Sequence, residues 1–112
     1  MKTEAMAVDF LRKKNFQIIA QNYFVPGGEI DIIAQLGEII VFIEVKSLKS
    51  EAYITLEETI TQRKRRYLVK ACRIWLHRKR IENQDWRIDF IGIILDNEKR
   101  IQRILHLENA IF

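Results

Sequence analysis

The sequence has a single cysteine, Cys72, so it can form no internal disulfide and offers no second thiolate for a zinc site. The longest apolar run, Ile39 to Ile43, is far shorter than the roughly 18 residues that a membrane-spanning helix needs. The first residues mix acids with apolar side chains and lack the apolar core of a signal peptide. We therefore expect a cytoplasmic protein with no membrane partner.

Several motifs of common enzyme classes are absent as well. The chain has only four Gly and one Pro, and it contains neither a phosphate-binding glycine loop nor a nucleophile elbow. His77, His106 and Cys72 have no partners at metal-ligand spacing, so packing roles suit them better. The 112 residues are 48% hydrophobic and 30% charged. This size and composition predict one globular domain over residues 1–112.

Hydrophobic periodicity predicts the element order α-β-β-β-α-β-β. The first helix is expected from Glu4 to Lys14, with Thr3 as its N-cap and Asn15 as a left-handed residue after its end. The remaining predicted ranges are strands at 17–24, 29–35 and 38–47, a helix at 57–80, and strands at 87–95 and 101–107. Because a helix separates the third and fourth strands, we predict an α/β fold with a mixed five-stranded sheet flanked by helices.

The segment GGEIDIIAQLGEIIVFIEVKS (27–47) is predicted to be a β-hairpin with charged residues at its open end. A two-residue turn at 36–37 would place Glu29 opposite Glu44 and Asp31 opposite Phe42. Opposed residues point to the same side of an antiparallel sheet, and alternate residues share a side. Four charged side chains are then expected on one face: Glu29, Asp31, Glu44 and Lys46.

Such a group of acids needs a compensating charge. Opposed like charges destabilise a sheet, and a buried unpaired carboxylate costs several kcal/mol. A bound cation would relieve the repulsion, and carboxylate oxygens are ligands that suit Mg²⁺ or Mn²⁺. Lys46 would then be a poised positive group beside the cation. The alternative is a surface ion pair of Lys46 with Glu44 or Asp31, and the geometry of the sequence alone leaves both interpretations open.

A set of short motifs occurs in a specific order along nearly the whole chain. They are EA (4–5), FL (10–11), GGEIDIIA (27–34), VFIEVKS (41–47), TQRK (61–64), RIDFI (87–91) and ENAIF (108–112). Together they resemble the YraN-like family of predicted endonucleases, within the PD-(D/E)xK nuclease superfamily. The resemblance implies a restriction-endonuclease-like fold similar to that of archaeal Holliday-junction resolvases. It also implies hydrolysis of DNA phosphodiesters with a divalent metal.

The same resemblance implies roles for individual residues. Asp31 and Glu44 would be metal ligands, together with the Val45 carbonyl. Lys46 would orient the attacking water and stabilise negative charge on phosphorus. Glu4, from the first helix, would complete the acidic cluster. Glu29 lies on the same predicted face but has no counterpart in the superfamily motif, so it is a supporting residue whose role stays open.

The long helix carries basic residues of two kinds. Between Thr59 and Ile81 the chain has nine Lys or Arg and no acid. Lys64 falls within the apolar stripe of the helix, where it either extends past its neighbours or reaches the acidic cluster. The other cations form either a solvated face or a surface that contacts phosphates. The candidate nucleic-acid-binding residues are Arg63, Arg66, Lys70 and Arg73.

Asp89 is a further acid in an apolar strand. It is either an additional metal-site residue or a sheet-edge or ion-pair residue that partners Arg87 or an arginine of the long helix. The second role is the more common one for such an acid.

We therefore predict a metal-dependent DNA endonuclease, with branched DNA as one candidate substrate. The net charge of +4 and the isoelectric point near 9.4 suit an anionic partner. The alternatives are a non-catalytic nucleic-acid-binding module with the same fold and an RNA-cleaving nuclease. A homodimer would suit paired cuts in branched DNA, although the sequence identifies no interface.

Overall fold

The computed structural model describes residues 2–49 and 60–110 and confirms the predicted element order. All seven elements lie within one or a few residues of the predicted ranges, apart from the start of the long helix. The elements are α1 (Lys2–Lys13), β1 (Gln17–Val25), β2 (Gly28–Leu36), β3 (Ile39–Lys49), α2 (Gln62–Arg78), β4 (Trp86–Leu95) and β5 (Ile101–Leu107).

The strands form one five-stranded mixed sheet in the order β1-β2-β3-β4-β5. All neighbouring strands are antiparallel except β3 and β4, which are parallel. A parallel pair needs a long crossover connection, and α2 lies in that connection. The predicted α/β fold with a mixed sheet is therefore confirmed.

The central strand β3 is buried on both faces and divides the core into two layers. Val41 and Ile43 pack with the apolar side of α1, whereas Ile40 and Phe42 pack with the apolar side of α2. Successive strand residues point to opposite faces, so the continuous apolar run of β3 supplies both layers at once. The sheet consequently carries one helix on each face.

The helix ends correct two predictions. The first helix begins at Lys2, so Thr3 lies inside it and is not the N-cap. Asn15 has φ 70, which confirms the predicted left-handed residue after α1. The long helix begins at Gln62 because the Thr61 side chain caps it by accepting a hydrogen bond from the Lys64 N–H at 3.1 Å. The predicted start at 57 falls outside the described residues, and positions 60 and 61 precede the helix.

Within the ranges 2–49 and 60–110, no helix is both long and apolar enough to cross a membrane.

The hairpin of β2 and β3 differs from the predicted register. Leu36 pairs with Ile39, so the turn lies one residue later than predicted, and Gly37 provides it with a positive φ of 61. Phe42 pairs with Ile33 and not with Asp31, so the predicted pairing was wrong by two residues. Because side chains alternate with a period of two, a shift by two leaves each residue on its predicted face.

The alternation itself fails at one point of β2. Ile30 packs in the layer of α2, whereas Ile32 packs in the layer of α1. Residues two apart on a regular strand share a face, so the chain rotates at Asp31 between them. Asn22 of β1 has φ 50. It lies opposite Asp31, between two regular β1–β2 pairs. The prediction that all four charged residues share one regular face is therefore too simple.

Candidate metal centre

Three carboxylates meet where α1 approaches the open end of the hairpin. One oxygen from each of Glu4, Glu29 and Asp31 lies within 4.8 Å of the others. Glu4 is only 7% exposed, although it lies in the first turn of α1. The predicted ligands Glu4 and Asp31 are thus brought together, and Glu29, predicted only as a supporting residue, joins them directly.

Asn22 of β1 connects two of these carboxylates. Its side-chain amide donates to Glu4 Oε1 at 2.8 Å and to Glu29 Oε1 at 3.1 Å. Sequence reasoning missed this residue. The one available signal was an asparagine inside a strand, where this residue type is depleted.

Asp31 is the most perturbed acid of the cluster. Burial and the adjacent Glu44 charge raise its pKa from 3.8 to about 7, and the Glu4 charge adds to the shift. The Val45 N–H, which donates to Asp31 Oδ2 at 2.8 Å, opposes the change. Asp31 therefore holds a proton for much of the time near neutral pH. Val45 contributes its N–H to the site, and the role of its carbonyl stays a prediction.

Glu44 is paired with Lys64 of α2 and not with Lys46. Its Oε2 lies 2.5 Å from Lys64 Nζ, with 12% and 27% of the two side chains exposed. Of the two alternatives for Lys64, the structure shows the contact with the acidic cluster. Glu44 also forms a side-chain hydrogen bond with Asp31, and this bond contributes to the raised pKa of Asp31.

Lys46 lies two residues beyond Glu44 on β3 and is half-buried. The ion pair proposed for it with Glu44 or Asp31 is not formed, and Glu44 pairs with Lys64 instead. Among the side chains placed in 2–49 and 60–110, no carboxylate forms a salt bridge with Lys46. Of the two lysines predicted for the site, Lys64 is paired with an acid. The ammonium group of Lys46 is not neutralised by a described acid.

Tyr67 of α2 also reaches the cluster. Its hydroxyl oxygen is buried without a hydrogen-bond partner in the part of the chain that is described. Burial raises the pKa of Tyr67, and the charges of Glu44, Glu29 and Asp31 raise it further. The hydroxyl lies where Gly28 has no side chain, since a Cβ there would be 2.5 Å away. An unsatisfied buried hydroxyl costs about 1–3 kcal/mol, so this part of the site has unused hydrogen-bonding capacity.

The donor set fits a hard divalent cation. Carboxylate oxygens from Glu4, Glu29 and Asp31 are hard ligands of the kind that Mg²⁺ and Mn²⁺ favour, and neither a thiolate nor an imidazole belongs to the group. Glu44 stands beside Asp31 as a fourth carboxylate. The arrangement can concentrate negative charge around a cation, with Lys64 paired to Glu44 at its edge.

The predicted nucleic-acid-binding residues lie on another side of α2. Arg66, Lys70 and Arg73 line an open groove of about 660 Å³ along the helix, together with Arg65 and Arg78. Arg63 is exposed but does not line the groove. Because Arg66 is two residues from Lys64, it points roughly to the opposite side of the helix. The basic surface and the acidic cluster are therefore separated by α2.

Asp89 belongs to a different part of the structure and does not join the carboxylate group. It is fully buried and accepts hydrogen bonds from Arg87 Nε at 3.0 Å and from the Asn109 N–H at 2.9 Å, and it lies 2.8 Å from His106 Nε2. Burial alone would raise the pKa of Asp89, but the hydrogen bonds from His106, Asn109 and Arg87 outweigh it and lower the pKa. The ion-pair interpretation with Arg87 is confirmed.

Fold and site together define a class: an α/β protein with a helix on each face of a mixed sheet and a carboxylate cluster between its first helix and its central hairpin. Residues 3–93 match a family described as "Uncharacterised protein family UPF0102". The chain belongs to this family, which confirms the family level of the resemblance.

Similar proteins that carry the family name occur in several organisms. A UPF0102 protein of Carboxydothermus hydrogenoformans is 42% identical over 92 residues, which cover 82% of this chain and 78% of the relative. A UPF0102 protein of Geotalea daltonii is 37% identical over 107 residues, covering 96% and 84%. One from Dictyoglomus thermophilum is 35% identical over 107 residues, covering 96% and 91%. These names state no activity, so the chemistry of the site has to carry the functional assignment.

Proposed function

We propose that this protein is a divalent-metal-dependent endonuclease that hydrolyses DNA phosphodiester bonds. The observation that carries the proposal is the meeting of Glu4, Glu29 and Asp31 within 4.8 Å, at a hairpin whose strand β3 also carries Glu44 and Lys46. A cluster of acids that repel one another is costly for stability, so its retention favours a role in binding a cation.

The cation would be Mg²⁺ or Mn²⁺, held by Asp31, Glu4 and Glu29, with Glu44 beside them. When bound, it supplies stabilisation of charge on the phosphoryl oxygen and lowers the pKa of a coordinated water. Asp31 and Glu44 are the acids of the superfamily motif, and Asp31 must lose its proton to act as a ligand. Cation binding is consequently expected to release a proton near neutral pH.

Lys46 supplies positive charge near the phosphate. A lysine beside the reacting phosphorus stabilises the negative charge that develops during hydrolysis, and it helps to orient the attacking water. Because Lys64 pairs with Glu44, it limits the repulsion between Glu44 and Asp31, and Lys46 is not needed for that task. The two lysines therefore have separate tasks.

The surroundings of the cluster suit a nucleic acid. Phe24 is 74% exposed and pairs across the strands with Glu29, so an aromatic ring stands at the edge of the acidic site. Exposed aromatic rings can stack on unpaired bases. This arrangement favours DNA with single-stranded or branched parts as the substrate.

A second candidate is a non-catalytic nucleic-acid-binding module. The observation that favours it is the basic groove on α2, which is separated from the acids by the helix itself. A module that binds through this groove would need only phosphate contacts. It would leave the carboxylate cluster on the other side of α2 without a role, which is why we favour the nuclease.

The two candidates differ in a cleavage assay. The protein is incubated with plasmid, single-stranded DNA, four-way-junction DNA and RNA, in Mg²⁺, Mn²⁺ or EDTA. We expect metal-dependent cleavage of a DNA substrate, and loss of cleavage in Asp31→Asn and Lys46→Ala. A matched control is Glu98→Gln, which removes an exposed acid in the turn after β4.

Cleavage that continues in EDTA, or continues equally in Asp31→Asn and Lys46→Ala, would contradict the proposed site. Binding of DNA without cleavage in any metal would favour the binding module. Cleavage of RNA alone would keep the metal chemistry but change the substrate.

A further inference from the structure

Asn22 is a residue of the site that neither the motif nor the family description assigns. We propose that Asn22 is a positioning residue, which holds Glu4 of α1 and Glu29 of β2 together so that the cluster is arranged for a divalent cation. The inference rests on the proposed function, because it names a residue that prepares the same site.

The hydrogen bonds of Asn22 define its role. An amide nitrogen carries two N–H groups, and here it donates to one oxygen of Glu4 and one of Glu29, at 2.8 and 3.1 Å. An ionised carboxylate can only accept, so the amide must present its nitrogen to both acids. Asn22 thereby ties the first turn of α1 to the start of β2, across 18 and 7 residues of sequence.

The neutrality of the amide matters for a cation site. A lysine or arginine could also hold the two carboxylates together. Its positive charge, however, would then lie beside the divalent cation and repel it. Glu44 shows the contrast, since it is held by the charged Lys64 and lies outside the group of three acids. An amide keeps Glu4 and Glu29 close together while leaving their negative charge for the ion.

The backbone of Asn22 gives independent support. Its φ of 50 lies in the left-handed region, which asparagine tolerates better than most residues. The residue lies opposite Asp31, at the position where the alternation of β2 fails. A non-glycine residue with this φ is uncommon inside a strand, and such backbone outliers cluster at functional sites. One residue therefore combines the local irregularity of the strand pair with contacts to two acids of the cluster.

The test compares Asn22→Gly with Asn15→Gly. Glycine keeps the positive φ at either position, so each substitution removes an amide side chain without adding backbone strain. Asn15 has φ 70 and follows α1, at the opposite end of that helix from Glu4. Binding of Mn²⁺ is measured by electron paramagnetic resonance of the free ion, and folding is checked by urea unfolding in EDTA.

We expect Asn22→Gly to weaken Mn²⁺ binding about 10-fold or more, as for other residues that orient metal ligands. Asn15→Gly should bind Mn²⁺ like the wild type. In a Glu4→Gln background, Asn22→Gly should have a smaller effect, because part of its action passes through Glu4. DNA cleavage by Asn22→Gly should approach the wild-type rate when Mn²⁺ is saturating, which a residue that contacts the substrate would not show.

Two outcomes overturn the inference, and they differ in their meaning. If the folded Asn22→Gly variant binds Mn²⁺ as tightly as the wild type, Asn22 does not position the ligands, while the proposed function is unaffected. If the wild type itself binds no Mn²⁺, the proposed function fails and the inference fails with it.

Discussion

Asp31 on β2 and Asp89 on β4 are both acids within apolar strands of the same sheet, but their environments are opposite. Asp89 is fully buried and is surrounded by donors from Arg87, His106 and the Asn109 backbone. Within the described residues, Asp31 accepts a hydrogen bond from the Val45 N–H and is surrounded by the charges of Glu44 and Glu4. The pKa of Asp89 is lowered, whereas that of Asp31 is raised to about 7.

The difference shows that burial alone does not identify a functional acid. A buried carboxylate with a complete set of donors stabilises the fold, because its charge is already compensated. A carboxylate placed among like charges destabilises the fold until a cation or a proton compensates it. On this comparison, Asp89 belongs to the scaffold and Asp31 to the site. Substitutions at the two acids and around them can test this division.

The largest stability effect is expected for Asp89→Ala. The substitution leaves Arg87, whose side chain is 18% exposed, without its main partner, and breaking such a buried pair costs about 3–5 kcal/mol. The free energy of unfolding is measured in urea. The control is Glu108→Ala, which removes the other and more exposed partner of Arg87 and should cost less than about 1 kcal/mol. Equal effects of the two substitutions would contradict the assignment of Asp89 to the scaffold.

A large effect on activity without loss of folding or of metal binding is expected for Lys46→Ala. Removal of a positive group that stabilises the transition state lowers the rate by about 10²–10³-fold, or about 3–4 kcal/mol in the barrier. Mn²⁺ affinity should not fall, since Lys46 is not a ligand. Cleavage rates are measured beside Lys49→Ala, which removes an exposed lysine three residues further along β3. A cleavage rate for Lys46→Ala similar to that of Lys49→Ala would show that Lys46 has no part in the reaction.

The dependence of stability on pH should separate the two acids. Between pH 3.8 and about 7, Asp31 binds more protons in the folded than in the unfolded state, so the free energy of unfolding should fall as the pH rises through this range without a cation. The lowered pKa of Asp89 acts in the other direction: its stabilisation is present above the unfolded pKa and is lost as the pH falls through the folded one.

The check is urea unfolding in EDTA across this pH range, for the wild type and Asp31→Asn. The variant should lose the decline toward neutral pH and should be at least as stable as the wild type at pH 7. The same decline in Asp31→Asn would show that the raised pKa of Asp31 is not its origin. We expect this effect to be smaller than that of Asp89→Ala, because Asp31 is only half-buried and solvent screens its charge.

The smallest effects are expected on the basic groove. If Arg66 and Arg73 each bind a phosphate, Arg66→Gln or Arg73→Gln should reduce the slope of log affinity against log salt by about 0.9 for duplex DNA. Fluorescence anisotropy over a series of KCl concentrations measures the slope. Arg100→Gln is the matched control, since Arg100 is exposed and pairs with Asp96 and Glu98 away from α2. If both α2 variants keep the wild-type slope, the groove is only a solvated face.

The sequence was sufficient to predict the fold because its signals are local. A local pattern predicts the type of an element or the place where it ends. Examples are the apolar run of β3, the turn around Gly37 and the apolar stripe of α2, and the seven elements follow in order. The start of α2 is set by the hydroxyl cap at Thr61, which the apolar periodicity of the helix does not reveal. The hairpin register depended on one turn residue and was therefore the weaker deduction.

The site was predictable only in part. Asp31 and Glu44 come from the motif, and Lys64 was suggested by its place within an apolar stripe. Asn22 and Tyr67 were not predicted, because each acts across the fold through contacts that no spacing in the sequence reveals. The network of Asp89 with His106 and Asn109 likewise joins residues 17 and 20 positions apart.

The most direct test of the account is Mn²⁺ binding to the wild type and to Asp31→Asn, followed by electron paramagnetic resonance at neutral pH. The comparison of the two acids predicts that the wild type binds the ion and that Asp31→Asn, while folded, does not. A wild type that leaves Mn²⁺ free, or an Asp31→Asn variant that binds it equally well, would contradict the assignment of the acidic cluster as a metal centre.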